Sequence, residues 1–115
     1  MELTLTQNYI SPGAQEFLDH LKEINLVRYA SEAAAEMEFS SDEELNDSIR
    51  RTIELCIQAG IPLDGNFRRI YVCSERGIAY DWKLSLLAYG LVCLNGWPSN
   101  PRVAQMQIGL LKNTS

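Results

Sequence analysis

The stretch 78-IAYDWKLSLLAYGLVCLNGWPSNPRVAQMQ-107 decides the fold, because it begins as a strand, continues as a helix, stops, and starts again as a helix. Residues 78–84 alternate apolar and polar side chains, which predicts a β-strand with one apolar face. That face carries Ile78, Tyr80, Trp82 and Leu84. Because an isolated β-hairpin is only marginally stable in water, we expect a helix to cover this face.

Two helices are predicted after this strand, and each has a clear start signal. Ser85 is a typical N-cap for a helix over 86–94, which is apolar almost all round and is therefore expected to be the central helix. The Asn95-Gly96 pair ends it. Asn100 followed by Pro101 then predicts the start of a second helix, which runs to about Lys112 and leaves the last three residues frayed.

The predicted strand has a partner directly upstream. FRRIYVC at 67–73 is rich in aromatic and β-branched residues, and SERG at 74–77 supplies a turn. The sequence therefore predicts a β-hairpin over about 67–84. ELTLT near the start of the chain also alternates and predicts a short N-terminal strand, and LVRYA at 26–30 predicts another.

Three further helices are predicted ahead of the hairpin. An amphipathic pattern covers 13–24, and an alanine-rich segment covers 31–37. The next helix starts at a capping box formed by Ser41 and Glu44 and ends at Gly60, which we expect to be a left-handed cap. Capping and the helix dipole together account for the acidic residues in its first turn.

These patterns predict an α+β fold in which four to five helices pack on one β-hairpin. A chain of 115 residues suits one domain, so we expect a single small globular domain over residues 1–115. No apolar run approaches the ~20 residues that a membrane helix needs. The N-terminus lacks the charged and apolar regions of a secretory signal, and we therefore expect a cytoplasmic protein.

The residues that most often perform catalysis are scarce or badly placed. Cys56, Cys73 and Cys93 form no C-x-x-C pair, and we expect each to be a small buried hydrophobic residue in a reducing compartment. His20 is the only histidine and has no nucleophile signature beside it. No glycine-rich phosphate-binding motif occurs. We therefore expect no catalytic residue, no metal site and no cofactor, and hence no enzyme.

Charge is distributed unevenly along the chain. Residues 1–60 hold twelve acidic and four basic residues, whereas residues 61–115 hold three acidic and six basic residues. Such asymmetry favours a charged partner. A basic two-stranded ribbon can enter a DNA major groove or lie along phosphates. The candidate residues for binding nucleic acid or a partner are Arg68, Arg69, Arg76 and Lys83 on the hairpin and Trp97 in the turn between the last two helices.

Trp97 allows two interpretations. Its position between two helices predicts a side chain at or near the surface. It either plugs the gap between those helices or anchors a partner, since tryptophan is enriched among the residues that dominate binding energy at interfaces.

Residues 81–107 resemble a segment of phage antirepressor and Bro-type proteins and of the bacterial DNA-damage-inducible protein D. In that family a strand leads into a Leu-Ser/Thr helix start, an Asn-Gly helix end, a proline, and a second helix with Val/Ile-Ala and a glutamine. The matching positions here are Asp81, Lys83, Leu84, Ser85, Ala88, Leu91, Val92, Asn95, Gly96, Pro98, Val103, Ala104 and Gln107. The resemblance extends over about 45–115. It departs from the family at Trp97, where the family often has aspartate, and at Gly109-Leu110, where the family has an aromatic pair.

The resemblance implies a phage-linked or stress-linked regulatory module that binds DNA or a DNA-acting protein. It implies no catalytic residue, because the matching positions are structural. Two hypotheses stay open. In the first, the basic hairpin contacts DNA. In the second, the chain is an inhibitor or antirepressor whose acidic half engages a basic partner without contacting DNA. Either form could act as a homodimer.

Overall fold

The computed structural model describes residues 12–114 and confirms the predicted α+β fold. The predicted strand at ELTLT lies outside the described residues. None of the helices in the described part is long and apolar enough to cross a membrane. The helices are α1 (Pro12–Asn25), α2 (Ala30–Glu36), α3 (Asp42–Ala59), α4 (Leu86–Leu94) and α5 (Pro101–Thr114), and the strands are β1 (Arg28–Tyr29), β2 (Phe67–Ser74) and β3 (Gly77–Leu84).

The predicted starts of α3, α4 and α5 and the predicted ends of α3 and α4 are confirmed, whereas α5 runs to Thr114, past its predicted end near Lys112. The Ser41 hydroxyl accepts a hydrogen bond from the Glu44 backbone N–H at 3.2 Å, which caps α3. Gly60 ends α3 in the left-handed region, with φ of 74°. The side chains of Ser85 and Asn100 cap α4 and α5 in the same way as Ser41 caps α3.

The three strands form an antiparallel sheet in the order β1-β3-β2. Strands β2 and β3 pair along their whole length, from Phe67 opposite Leu84 to Ser74 opposite Gly77. Strand β1 has only two residues and pairs with the end of β3 nearest the core. The rest of the hairpin is therefore a two-stranded ribbon, and we call residues 71–80 the distal hairpin.

Helix α4 is the central helix, as predicted from its apolar composition. It contacts α2, α3, α5, β1 and β3. Two of its residues, Ala88 and Val92, are almost completely buried. One cluster of buried residues forms the core around it, and its members are Ala30, Ala33, Met37, Ile49, Leu84, Ala88, Val92, Cys93 and Val103.

The apolar face of β3 is only partly covered, which corrects the expectation that a helix buries the whole face. Leu84 is fully buried and Trp82 is half-buried, but Tyr80 is 50% exposed and Ile78 is 75% exposed. These residues do share one face, as the pairing register requires. The core elements reach only the base of the hairpin, so the same face becomes solvent-exposed toward the turn.

The three cysteines also differ in burial. Cys56 and Cys93 are buried, as predicted, and all three cysteines are free thiols. Burial raises the pKa of the Cys56 thiol and raises that of Cys93 to about 11. Cys73 is exposed, so its predicted burial is wrong. It lies on the distal hairpin, beyond the residues of β2 and β3 that reach the core cluster.

Candidate partner-binding surface

The structure brings only two of the predicted basic residues together. Arg68 and Lys83 are directly opposite each other in the β2–β3 pairing and therefore share one face of the hairpin. Arg69 lies opposite Trp82 on the other face, because successive side chains in a strand alternate. Arg76 lies in the two-residue turn. The hairpin thus carries its basic residues on two faces and a tip.

Arg69 is held against two aromatic rings. Its guanidinium carbon lies 4.8 Å from the centroid of the Tyr80 ring and 4.9 Å from the centroid of the Trp82 ring. A guanidinium at such distances is attracted by the ring quadrupole. The contact fixes the orientation of the Arg69 side chain on the face that is turned toward α3.

Trp97 is half-buried and bonded to α3 at two points. Its indole N–H donates to an Asp47 carboxylate oxygen at 2.9 Å, and its backbone N–H donates to Glu44 at the same distance. The indole hydrogen bond lowers the pKa of Asp47. These two hydrogen bonds attach the turn to α3. That Trp97 fills the gap between the last two helices stays a prediction. Its role as an anchor for a partner also stays a prediction.

The carboxylate of Glu44 is fully buried and joins three parts of the chain. It accepts hydrogen bonds from the Ser40 backbone N–H at 2.7 Å, from Trp97, and from the Asn100 side-chain amide at 3.0 Å. Burial by itself would raise the pKa of Glu44, but the hydrogen bonds from Ser40, Asn100 and Trp97 outweigh it and lower the pKa. We call Ser40, Glu44, Asp47, Trp97 and Asn100 the Glu44 cluster.

The Glu44 cluster corrects the capping-box prediction. Ser41 does cap α3, but the Glu44 carboxylate bonds to Ser40 and to the distant 97–100 turn rather than to the Ser41 backbone. The first-turn acidic residues are therefore not accounted for by capping and the helix dipole alone. A capping motif and a buried tertiary carboxylate have the same local sequence, so the sequence could not distinguish them.

Gly96 is required by close packing that no sequence signal revealed. A Cβ atom at this position would lie 2.6 Å from side-chain atoms of both Phe39 and Val103. The carbonyl of the preceding residue, Asn95, accepts two hydrogen bonds from the Arg51 guanidinium, at 3.1 and 2.7 Å. The Asn-Gly pair therefore ends α4. It also holds the turn against α3 through the Asn95 carbonyl and against the core through the close packing at Gly96.

Two adjacent grooves lie between α3 and the β3 side of the hairpin. The first, of about 440 Å³, we call the acidic groove. The second, of about 530 Å³, we call the arginine groove. Asn46 and Tyr80 line both grooves and separate them. The acidic groove is lined by Ser31, Asp42, Leu45, Asn46, Ile78, Ala79, Tyr80 and Asp81, and the arginine groove by Asn46, Ile49, Arg50, Ile53, Glu54, Arg69, Tyr80 and Trp82.

The acidic groove combines fixed and exposed groups. The Asp81 carboxylate accepts hydrogen bonds from the backbone N–H of Ser31 at 3.1 Å and from the Ser31 hydroxyl, which fixes it between β3 and α2. Asp42, in the first turn of α3, is exposed. Ile78 and Tyr80 are the exposed apolar residues of the groove. A carboxylate therefore stands beside an uncovered apolar surface.

Within residues 12–114, no cluster of three or more histidine, cysteine, aspartate or glutamate side chains could hold a metal ion. The sequence did not identify Asp42, Ile78 and Tyr80 as site residues, because their exposure depends on which elements fail to cover the hairpin.

No protein-family model, no curated protein and no solved structure matches the chain. The resemblance of residues 81–107 to antirepressor-type proteins therefore stays a prediction. Several of its matching positions have structural roles here. Ser85 caps α4, Gly96 packs against the core, and the Gln107 side-chain amide donates to the Leu94 carbonyl at 2.7 Å.

Proposed function

We propose that the chain is a non-enzymatic regulatory module that binds a basic segment of a DNA-acting protein in the acidic groove. The observation that supports this proposal is the placement of exposed Ile78 and Tyr80 beside the carboxylate of Asp42 in one groove of about 440 Å³. Proteins that bind DNA carry lysine and arginine on the surface that meets the phosphates. Such a surface is complementary to this groove in charge.

The apolar part of the groove favours a protein partner. Exposed apolar patches on a soluble chain often mark interaction sites, and tyrosine is enriched at protein interfaces. Tyr71 lies directly opposite Tyr80 in the hairpin and is 71% exposed. The distal hairpin therefore offers apolar area that a partner can bury, while Asp42 contributes charge selectivity at the rim.

A module of this kind would regulate by occlusion. A basic surface held in the acidic groove is no longer available to DNA, because the same lysine and arginine side chains would serve both contacts. This is the action of an antirepressor or inhibitor. It agrees with what the resemblance of residues 81–107 implies, namely phage-linked or stress-linked regulation.

Direct DNA binding is the second candidate function. Arg68 and Lys83 support it, because they share one face of a two-stranded ribbon. The net charge of −5 counts against it, since the acidic residues repel the DNA backbone. The division of the other basic residues between the opposite face and the tip also counts against it.

An NMR titration distinguishes the two functions. The labelled protein is titrated in one experiment with a lysine-rich peptide that also carries leucine and phenylalanine, and in a second with mixed-sequence duplex DNA. We expect the peptide to shift resonances of Asp42, Ile78 and Tyr80. Asp42→Asn and Ile78→Ser should each weaken the peptide about threefold to tenfold, which is the usual range for a contact outside the central residues of an interface.

Glu43→Gln is the matched control for Asp42→Asn. It removes the same charge from the neighbouring position of α3, and Glu43 does not line the acidic groove. If both variants weakened peptide binding equally, the effect would come from the net charge of the protein and not from the position of Asp42. Duplex DNA that binds with a steep salt dependence, and that loses affinity in Arg68→Gln and Lys83→Gln, would overturn the proposal in favour of the second candidate.

A further inference from the structure

Strand β3 has an unpaired edge that lies along the acidic groove. Strand β1 pairs only with Lys83 and Leu84 of β3, and no other strand described within residues 12–114 lies on that side of β3. Four consecutive residues of β3, 78–81, line the acidic groove. Consecutive residues of a strand point to opposite faces, so a groove lined by all four follows the edge of the strand and not one of its faces.

The hydrogen-bond pattern of the sheet identifies which backbone groups face this edge. In an antiparallel pair, every second residue of a strand turns its N–H and C=O toward the partner strand, and the residues between them turn theirs away. The Ser85 N–H donates to the Asn66 carbonyl at 3.0 Å, at the base of the β2–β3 pairing. The residues of β3 that face β2 are therefore the odd-numbered ones, which include Ala79 and Asp81.

The even-numbered residues of β3 face the opposite side. Leu84 shows this directly, because its carbonyl accepts a hydrogen bond from the Val27 N–H at 3.0 Å. Ile78 and Tyr80 have the same parity, and β1 does not extend far enough to pair with them. Their N–H and C=O groups are therefore two donors and two acceptors along the acidic groove. A strand edge of this kind is a template for pairing with another extended chain.

The charge of the groove indicates which kind of chain this edge accepts. Its lining holds Asp42 and Asp81 and, among the described residues, no lysine or arginine. Asp81 is engaged by Ser31, but Asp42 is exposed and takes part in no ion pair within residues 12–114. The unpaired backbone groups require an extended occupant, and the free carboxylate favours an occupant that carries lysine or arginine.

We propose that the basic segment of the partner binds as an added β-strand on the free edge of β3, with main-chain hydrogen bonds to Ile78 and Tyr80. This inference rests on the proposed function, and it adds the conformation of the bound segment and the spacing of its side chains. Strand addition at a sheet edge is a recurrent way to bind a peptide. Main-chain bonds provide the affinity, and alternate side chains provide the specificity.

The position of α3 determines that spacing. Residues of an added strand that lie opposite Ile78 and Tyr80 share the face of those two side chains. Helix α3 lies over that face, since it contributes residues beside Tyr80 to both grooves. At one such position a lysine or arginine meets Asp42, and two positions away an apolar residue packs beside Leu45 and Ile78. The segment therefore carries a basic and an apolar residue at i and i+2.

Amide hydrogen exchange measures the proposed bonds on the protein. In the complex with the lysine-rich peptide that carries leucine and phenylalanine, exchange at the Ile78 and Tyr80 amides should slow at least about tenfold. The amides of Ala79 and Asp81 face β2 and are internal controls, which should change much less. If the peptide shifts groove resonances without slowing exchange at Ile78 and Tyr80, strand addition is rejected and the proposed function stands. A peptide that does not bind rejects both.

A second copy of the chain is the competing occupant of the edge. It would slow exchange at the Ile78 and Tyr80 amides in the absence of peptide, and more so at higher protein concentration. That result would reject the proposal, because the edge would then be paired before any basic segment arrives. Fast exchange at both amides in the free protein, at every concentration, is the result that we expect.

Methylated peptides measure the same bonds on the partner side. A single N-methyl group is placed in turn at successive residues of the lysine-rich peptide, which removes one N–H and leaves every side chain unchanged. At positions of one parity the N–H bonds to β3, so methylation should weaken binding at least about tenfold, whereas at the other parity it should change the affinity less than about threefold. Equal losses at neighbouring positions would overturn strand addition.

Proline at the free edge provides a test by mutation. Ile78→Pro removes an N–H that faces away from β2, and proline is tolerated at such an edge. Ile78→Ala shortens the side chain but keeps the N–H, so it is the matched control. Ile78→Pro should weaken the peptide at least about threefold more than Ile78→Ala does, and equal affinities would reject the bond at Ile78. Circular dichroism checks folding, and Tyr80→Pro with Tyr80→Ala replaces the pair if Ile78→Pro unfolds.

Discussion

The Glu44 cluster and the distal hairpin differ in how far their side chains are engaged within the fold. In the Glu44 cluster, the carboxylate, the indole and the amide bond to one another and to the backbone. In the distal hairpin, Tyr71 and Ile78 are 71% and 75% exposed. The first set of groups is already engaged inside the fold, whereas the second is available to a partner.

The difference shows that the kind of residue does not decide its role. Glu44 and Trp97 would be natural candidates for chemistry or binding if residue type were the only guide. Their contacts show that they hold the 97–100 turn on α3. Ile78 is an ordinary apolar residue, yet its exposure makes it the better candidate for a contact with another molecule.

The strongest test of this comparison is the removal of the buried carboxylate. Glu44→Ala should lower the free energy of unfolding by about 3–4 kcal/mol, because it leaves buried donors on Ser40, Trp97 and Asn100 without an acceptor. Urea unfolding measures the loss. The exposed neighbour provides the control, since Glu43→Ala should cost at most about 1 kcal/mol through the helix dipole. Equal losses would refute the structural role of Glu44.

The next test adds a methyl group to the same region. Gly96→Ala should lower the free energy of unfolding by about 1–3 kcal/mol, because the new Cβ overlaps Phe39 and Val103. Gly90→Ala is the matched control. A Cβ there meets nothing within 4 Å, so the change should stabilise α4 by about 0.5–1 kcal/mol. If Gly96→Ala and Gly90→Ala shifted the urea midpoint in the same direction, close packing at Gly96 would be contradicted.

Acid should weaken the Glu44 cluster. The pKa of Glu44 is lowered from the ordinary value of 4.5, so the unfolded chain takes up a proton at a higher pH than the folded chain does. The stabilisation from Glu44 is therefore complete above about pH 4.5 and is lost as the pH falls through the folded pKa. Urea unfolding at a series of pH values should show a smaller acid dependence in Glu44→Gln than in the wild type. Identical slopes would contradict this assignment.

A subtler change isolates the Trp97 hydrogen bond. Trp97→Phe keeps an aromatic ring and removes the indole N–H that donates to Asp47. The pKa of Asp47 should rise toward its ordinary value of 3.8, because this hydrogen bond is the largest cause of its lowering. Carboxyl chemical shifts followed during an NMR pH titration measure the change. A constant pKa would mean that the indole does not donate to Asp47 in solution.

The smallest effect is expected at the distal hairpin. Ile78→Val should change the free energy of unfolding by less than about 0.5 kcal/mol, because the residue is largely exposed. The same substitution at buried Ile49 should cost about 0.5–1.5 kcal/mol. A larger cost at Ile78 than at Ile49 in thermal or urea unfolding would mean that the distal hairpin is covered in solution.

Much of the fold could be predicted, because the signals that start and end its helices are local. The Ser41 cap, the Gly60 stop, and the Ser85 and Asn100 caps each depend on a few neighbouring residues, and the helix ends confirm them. The pairing of β1 with β3 could not be predicted in this way. A strand of two residues has no periodicity, and its partner lies more than 50 positions along the chain.

The candidate site was predicted only in part. Arg68 and Lys83 share a face, as the strand alternation required, whereas Arg69 lies on the opposite face and stacks on Tyr80 and Trp82. No local pattern could show that α3 stands opposite that face. The acidic and arginine grooves therefore exist only through the packing of a helix against a hairpin that follows it in the chain.

The sequence by itself determined where α3 and α4 begin and end, where α5 begins, and which residues share a strand face, because capping, glycine stops and strand alternation act over a few bonds. The tertiary structure decided which of those faces are covered. In it, the Glu44 carboxylate bonds to the distant 97–100 turn, and Ile78 and Tyr80 are exposed to solvent. Burial depends on residues that are far apart in the chain, so the same apolar alternation yields core at Leu84 and an exposed surface at Ile78.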